Sequence, residues 1–432
     1  MSAPKEIAIP GTSGLSNNGN TCYVNAAIQM LSHIHPFTQY LFGNEDEIKS
    51  ILLKNAPTIY GNDNCMFVDT EIIDKIKSNK YVPTMLTAEE ATKILNGTMT
   101  FRLLSLLGTL WAENQIFVPT AFLLVFKTAR RQFFTGGEQH DAEEALRMIL
   151  ENIQDELKQT KRVTLGAMLP EVNDLIKCRN AKHEPGISDI EQKTRNKHYT
   201  EKKKNVSSDI LIHYRANRKI ISYYRENYSK VTEIFTGFYH EIMRCPNCKY
   251  TTHKFPPFQT ISLSIPKHSV RKYGTRDVTI ENCMKEYSSV EILDEDNAWR
   301  CECCNILVRA TRQNLIWKAP PVLTLQLKRF DLMTNMKNNT HVHYPLNDLD
   351  IAPMMTPYMN QKCTKYKLQS VIIHTGTATE GHYTNFSHHP DSNTWINFDD
   401  DSNNSIPEFS VDSRNAYVLM YYRNDLVINN NK

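Results

Sequence analysis

The chain has 432 residues, of which 41% are hydrophobic, and a net charge of +3; that is enough apolar residue for a substantial core, and too little charge bias to name a class of partner. No apolar run is long enough to span a bilayer, Phe117 to Phe126 being apolar but too short, and Met1-Ser2-Ala3-Pro4-Lys5-Glu6 lacks the charged-then-apolar pattern of a secretion signal. Ten cysteines in a chain of this length are not disulfide density, which sets the expectation of a reducing compartment, cytoplasm or nucleus, with no membrane partner.

In chain order, the first chemical feature is the glycine-containing turn Gly14-Leu15-Ser16-Asn17-Asn18-Gly19-Asn20-Thr21, which runs into Cys22-Tyr23. Val24, Ala27, Ile28 and Leu31 fall at helical spacing, with Asn20 or Thr21 as N-cap, so Cys22 is expected in the first turn of a helix. Unpaired backbone N–H groups and the positive end of the helix dipole favour thiolate there. Asn17 is placed to aim an amide at an oxyanion. A lone cysteine at a helix start is nevertheless more often a small buried hydrophobe.

The region from Cys22 to about residue 150 reads as mainly helical, ending in an amphipathic helix over Asp141 to Leu157. Leu41 to Thr100 carries no recognisable chemistry. From Lys177 to Lys230 there are 14 Lys and Arg against 6 Asp and Glu. Periodicity is weak until Ile210-Leu211-Ile212 and Ile220-Ile221, so the centre of this segment is expected to be a mobile loop, either solvated or facing an acidic or nucleic-acid partner.

Beyond about residue 231 the pattern favours strands, at Ile261 to Ile265, Pro321 to Phe330 and Ala416 to Tyr422. Cys245-Pro246-Asn247-Cys248 and Cys301-Glu302-Cys303-Cys304 are two C-x-x-C knuckles if Cys301 and Cys304 are used; four thiolates so spaced suit one closed, structural zinc, with Cys303 as an alternative ligand or a free thiol. Redox-active pairs and unmetallated thiols are the other readings.

The last feature is a hairpin. Lys367 to His374 is rich in β-branched residues, Thr375 to Glu380 is a small-residue loop, and His382 to Phe386 is extended before a turn leads to Trp395 to Phe398 and Asp399. A carboxylate beside an imidazole fixes its tautomer, so Cys22, His382 and Asp399 together point to nucleophilic catalysis. Separately, each has a bland reading as a core histidine or a solvated acidic turn.

The blocks Gly14 to Leu31 and Gly381 to Asp400 resemble the cysteine and histidine boxes of the ubiquitin-specific proteases. Gln139-His140-Asp141-Ala142-Glu143-Glu144, Phe235-Thr236-Gly237, Leu323 to Phe330 and Ala416 to Tyr422 resemble further family landmarks, in the family's order. Glu143 and Ala145 stand where the family usually has His and Phe, and His140 where it often has Gln.

The resemblance implies an α+β, papain-like fold with a helical thumb (about 14–160), a basic insertion (about 161–230), and a β-rich palm with zinc-ribbon fingers (about 231–423). It leaves 1–13 as an N-terminal extension and 424–432 as a tail. It implies a thiol deubiquitinase in which Cys22 is nucleophile, His382 general base, Asp399 its orienting carboxylate, Asn17 the oxyanion donor and Asp400 an auxiliary group. Gln139 and Asp141 would lie near the ubiquitin tail. Zinc on Cys245, Cys248, Cys301 and Cys304 would be structural, with no catalytic cofactor. A ubiquitin-binding scaffold with little turnover, and a protease for a related modifier, are the rival functions; the zinc-containing nucleic-acid binder rests on the basic segment alone.

Overall fold

The structure, a computed structural model, describes residues 9–61, 68–78, 81–130, 139–161, 163–166, 168–266, 278–331, 333–359 and 361–426. The expected features of residues 1–6 and most of the 424–432 tail lie outside these. Helix α1 (Cys22–Ser32) is followed by α2 (His35–Gly43), α3 (Glu45–Ile59), α4 (Thr70–Lys77), α5 (Ala88–Asn96), α6 (Met99–Ala112), α7 (Thr120–Ala129) and α8 (Ala142–Glu156). No helix among the described residues is long and apolar enough to cross a membrane. Asp141 caps α8 and Leu157 ends it, as the periodicity predicts.

Every residue of α1 is buried, the polar Asn25, Gln29 and Ser32 included. It is a central helix rather than one with a single apolar face. Gln29 donates from Nε2 to the Ser13 carbonyl at 2.9 Å, which satisfies a polar group the core would otherwise strand. Residues 11–13 are buried as well: Ser13 Oγ donates to the Leu110 carbonyl at 3.1 Å.

The palm is a sheet whose strands run, edge to edge, Ser402–Ile406, Thr394–Asp399, Gly381–His389, Lys365–Gly376, Ala416–Arg423, Val322–Lys328 and Thr260–Ser264. Only the last pair in this series is parallel. The interior strand Ala416–Arg423 is buried on both faces, as an apolar run without alternation requires: Val418 and Met420 join α1, α6 and α8 in one core, while Leu419 and Tyr421 join the helix Ile280–Tyr287 in another. The palm therefore holds α1 against the back of the strand that carries His382.

The basic segment is not a loop. It forms α9 (Pro170–Ala181), α10 (Asp189–Lys204), α11 (Ser208–Asn227) and α12 (Lys230–Phe235). Ile212, Ala216, Ile220 and Tyr224, spaced by four, pack on Phe238, Phe255 and Trp317 of the fingers. The stripe includes a tyrosine and an alanine, which is why counting aliphatic residues alone misses it. Helix α10 buries nothing; its Ser188 cap at 3.3 Å and the Arg195–Glu191 pair at 2.6 Å support it locally.

Candidate active site

The turn before Cys22 is held from two sides. Leu15 N donates to the Asp400 carbonyl at 2.8 Å, Ser16 N to the Phe117 carbonyl at 2.8 Å, and Phe117 N to the Gly14 carbonyl at 3.0 Å. A Cβ on Gly14 would lie 2.4 Å from the Asp401 carbonyl oxygen, so only glycine admits this approach. Asn17 Oδ1 accepts from Thr21 N at 3.0 Å and Thr21 Oγ1 at 3.1 Å, and its Nδ2 donates to Asp400 Oδ2 at 2.8 Å. One amide N–H is thus engaged, and the second is the one that can meet an oxyanion.

His382 and Asp399 lie on neighbouring strands. Asn385 is opposite Phe398; continuing that register sets Thr384 opposite Asp399, so His382 shares the face of Asp399 on the diagonal. His382 Nε2 is 2.6 Å from Asp399 Oδ1. With Nε2–H donated to the carboxylate, Nδ1 keeps its lone pair for a proton. Asp400 is 3.9 Å from the same nitrogen and serves the turn instead, its Oδ1 accepting from Asn25 Nδ2 at 2.8 Å. Behind the histidine, a Cβ on Gly381 would lie 2.1 Å from His374 Nε2, and burial holds the His374 imidazole down at about 4, so that ring is neutral packing at neutral pH.

The Cys22 thiol is 3% exposed and rests against the backbone N–H of Tyr383, the residue after His382. Among the described residues no hydrogen bond joins its sulfur to the imidazole. Burial pushes the thiol above the ordinary cysteine range and the Asp400 charge adds to this, against the backbone N–H groups of Tyr383, Tyr23 and Cys22. The expectation of a thiolate set by the helix start is corrected here: loss of solvation outweighs the local dipoles, and the resting thiol is neutral.

Gln139 is exposed and accepts through Oε1 from Gly381 N at 3.0 Å, which bridges the thumb to the histidine strand. Asp141 Oδ1 caps α8 through Glu143 N at 2.7 Å and Glu144 N at 3.4 Å, while Oδ2 accepts from the Tyr417 hydroxyl. Both of its oxygens are engaged within the fold. The sequence reading missed Asn25 and the Tyr383 N–H; Asn25 sits at i+3 from Cys22, but nothing local shows that it reaches Asp400.

In the fingers, Cys245, Cys248, Cys301 and Cys304 bring their sulfurs together. Cys245–Cys304 and Cys248–Cys301 are 3.8 and 3.6 Å apart. A disulfide requires about 2.05 Å, whereas tetrahedral zinc with bonds of about 2.3 Å sets sulfurs about 3.8 Å apart. The two knuckles have the same backbone form, with Lys249 and Asn305 each donating N–H to the carbonyl of the first cysteine, at 3.1 and 2.9 Å, from a left-handed conformation (φ 61° and 55°). Cys303, the counterpart of Asn247, is exposed and outside the cluster.

Between α9, α11 and the strand Thr251–Lys254 lies a groove of about 740 Å³ lined by Arg179, Arg215, Arg218, Lys219, Arg225 and Lys254, with Glu241 as its one carboxylate. None of these six cations makes an ion pair among the described residues, unlike Arg195 and Lys202 on α10.

The family model described as ubiquitin carboxyl-terminal hydrolase matches residues 13–421. A probable ubiquitin carboxyl-terminal hydrolase of Acanthamoeba polyphaga mimivirus is 35% identical over 430 residues, covering 96% of this chain and 91% of its own. Human ubiquitin carboxyl-terminal hydrolase 2 is 27% identical over 418 residues, covering 95% of this chain and 55% of its own. Among solved structures, a chain of the yeast SAGA DUB module superposes with a TM-score of 0.58 at 20% identity, covering 98% of this chain and 71% of that one; a SAGA DUB module bound to ubiquitin aldehyde gives 0.57 at 19%, covering 98% and 72%.

Proposed function

The chain belongs to the ubiquitin carboxyl-terminal hydrolase family, and from that premise we propose that Cys22, His382 and Asp399 are the triad with which this cysteine-type deubiquitinase cleaves the bond after the terminal glycine of ubiquitin. The observation that carries the reading is the 2.6 Å His382–Asp399 contact on a strand whose next residue, Tyr383, lies against the Cys22 sulfur.

Substrate seating brings Nδ1 of His382 onto Sγ and takes its proton. The thiolate attacks the carbonyl carbon of the glycine, and the free N–H of Asn17 meets the oxyanion, a contact worth about 3 kcal/mol in the transition state. The imidazolium, steadied by Asp399, gives its proton to the leaving lysine amine. Water, deprotonated by His382, then cleaves the thioester and frees the ubiquitin carboxylate and the thiol. Asp400 positions Asn17 and the turn. Gln139, exposed beside Gly381, is the better placed of the two expected tail contacts, and Asp141 acts through the cap of α8. Cys22→Ala is expected to abolish hydrolysis of a fluorogenic ubiquitin substrate while its circular dichroism spectrum is unchanged; residual turnover within tenfold of wild type would overturn the triad. Faster cleavage of a ubiquitin-like modifier than of ubiquitin would instead redirect the substrate.

The four clustered thiols fit a single zinc ion, which would supply cohesion to the fingers, with no position left open for chemistry. Such thiol ligands match a reducing compartment, cytoplasm or nucleus.

For the basic groove, six cations face a single carboxylate, Glu241, which leaves a net positive cavity that favours an anionic ligand, and the lining holds no exposed aromatic to stack on bases. An acidic peptide is therefore the favoured partner. A labelled poly-glutamate should bind with strong salt dependence and lose affinity at least tenfold in Arg215→Glu/Arg218→Glu; preference for an oligonucleotide would reverse this choice.

A further inference from the structure

On the palm flank that carries the helix Ile280–Tyr287, the strand Val342–His343 pairs in parallel with Val278–Thr279. Val342 is fully buried. Side chains alternate along an extended segment, so His341 and His343, on either side of it, both turn outward. Their rings lie 4.0 Å apart between centroids. Both face one carboxylate from a distant part of the chain: His341 Nε2 is 3.2 Å from Asp412 Oδ1, and His343 Nδ1 is 2.6 Å from Asp412 Oδ2. The three side chains are between 28% and 42% exposed, so an ion can reach them.

The backbone around the carboxylate is clamped independently of any ion. The Tyr344 hydroxyl donates to the Val411 carbonyl and accepts from Ser413 N at 3.1 Å, gripping the residues on both sides of Asp412. Tyr344 directly follows His343, so one residue ties the histidine strand to the turn that presents the carboxylate. Arg329 fastens the same region, donating to the Thr340 carbonyl at 2.9 Å and the Ala416 carbonyl at 2.6 Å. Ligand-bearing backbone fixed in this way limits the ordering that binding requires.

We propose that His341, His343 and Asp412 form a second metal site, open to solvent and separate from the cysteine cluster, for a divalent transition-metal ion of the zinc type. Two imidazole nitrogens and a carboxylate oxygen are a borderline donor set, suited to zinc, and three protein ligands leave room for water. All three donor atoms already lie within 4.8 Å of one another. At zinc–ligand bonds of about 2.0 Å the donors stand about 3.3 Å apart; the His341 contact has this spacing, and the His343 contact, on a half-exposed side chain, opens to admit the ion. Two imidazoles bonded to one carboxylate without an ion is the competing account, and the test separates them.

The full chain, stripped with chelator and dialysed against buffered zinc, is expected to bind two ions per chain, the second more weakly. His343→Ala and Asp412→Asn should each bind one, with at least tenfold weaker uptake of the other, while Cys248→Ser should keep the second. In the cobalt-loaded protein, His343→Ala should remove weak visible bands and leave the intense thiolate absorption. In wild type, zinc should slow diethylpyrocarbonate modification of His341 and His343, a readout that requires no variant. One ion per chain in wild type, or a second ion indifferent to both substitutions and giving no protection of these histidines, would overturn the site.

Discussion

Asp400 adopts a left-handed backbone conformation (φ 49°) and ties the segment of Asp399 to that of Cys22, its carboxylate accepting from Asn17 and Asn25 and its carbonyl from the Leu15 N–H. Burial raises the Cys22 thiol above its ordinary range, and the Asp400 charge adds to this. In Asp400→Asn the charge disappears, which favours the anion, so alkylation of Cys22 by iodoacetamide should titrate at lower pH than in wild type. Turnover should nevertheless fall about tenfold or more, because Asn17 loses its anchor. An unchanged alkylation profile would show that the charge does not reach the sulfur. The sign follows from linkage: a raised thiol value means the neutral form is favoured in the folded state, and reactivity grows as pH rises through that value. The pairing of His382 with Asp399 was legible because both sit in one contiguous block. The ionisation state of Cys22 was not, since it depends on burial in the tertiary fold, on the opposing N–H of Tyr383 and on a carboxylate 378 positions away.

Helix α8 shows how elements hold the thumb. Its last residue, Glu156, is buried and accepts from Met99 N at 2.8 Å, Thr100 N at 2.7 Å and Thr100 Oγ1 at 2.5 Å, which caps the start of α6. Glu156→Ala should cost about 3 kcal/mol in urea unfolding, since it strands two buried backbone donors and the Thr100 hydroxyl; a loss below about 0.5 kcal/mol would mean that water replaces the carboxylate. The boundaries of α8 and the presence of a hairpin around His382 were legible, because local periodicity, caps and turn residues agree there, although its strands reach further than expected, to Gly376 and to His389. The helices of the basic segment were not: α11 is fixed by Tyr224 and Ala216 meeting Trp317, Phe238 and Phe255, residues that lie beyond any local window. The histidine pair at 341 and 343 offers a local signal in its alternate spacing, but Asp412 enters only through the tertiary fold.

At the scale of the molecule, one shared core joins α1 to the back of the palm strands, while the zinc-ribbon fingers have their own small cluster with α11. Zinc removal should therefore act locally. A chelator strong enough to strip the cysteine cluster should increase hydrogen exchange at 245–250 and 301–306, a structural zinc being worth on the order of 10 kcal/mol at neutral pH, while α1 and α8 keep their protection; uniform loss of protection would contradict independent lobes. The proposed nucleophile and base come from opposite ends of the chain, and the register of Gly381–His389 on Thr394–Asp399 completes the arrangement. The most direct measurement is peptide mapping by mass spectrometry after reaction with ubiquitin bearing a C-terminal electrophile. The adduct is predicted on Cys22, with labelling strongly reduced in His382→Ala; an adduct on another cysteine, or undiminished labelling without the imidazole, would contradict the account.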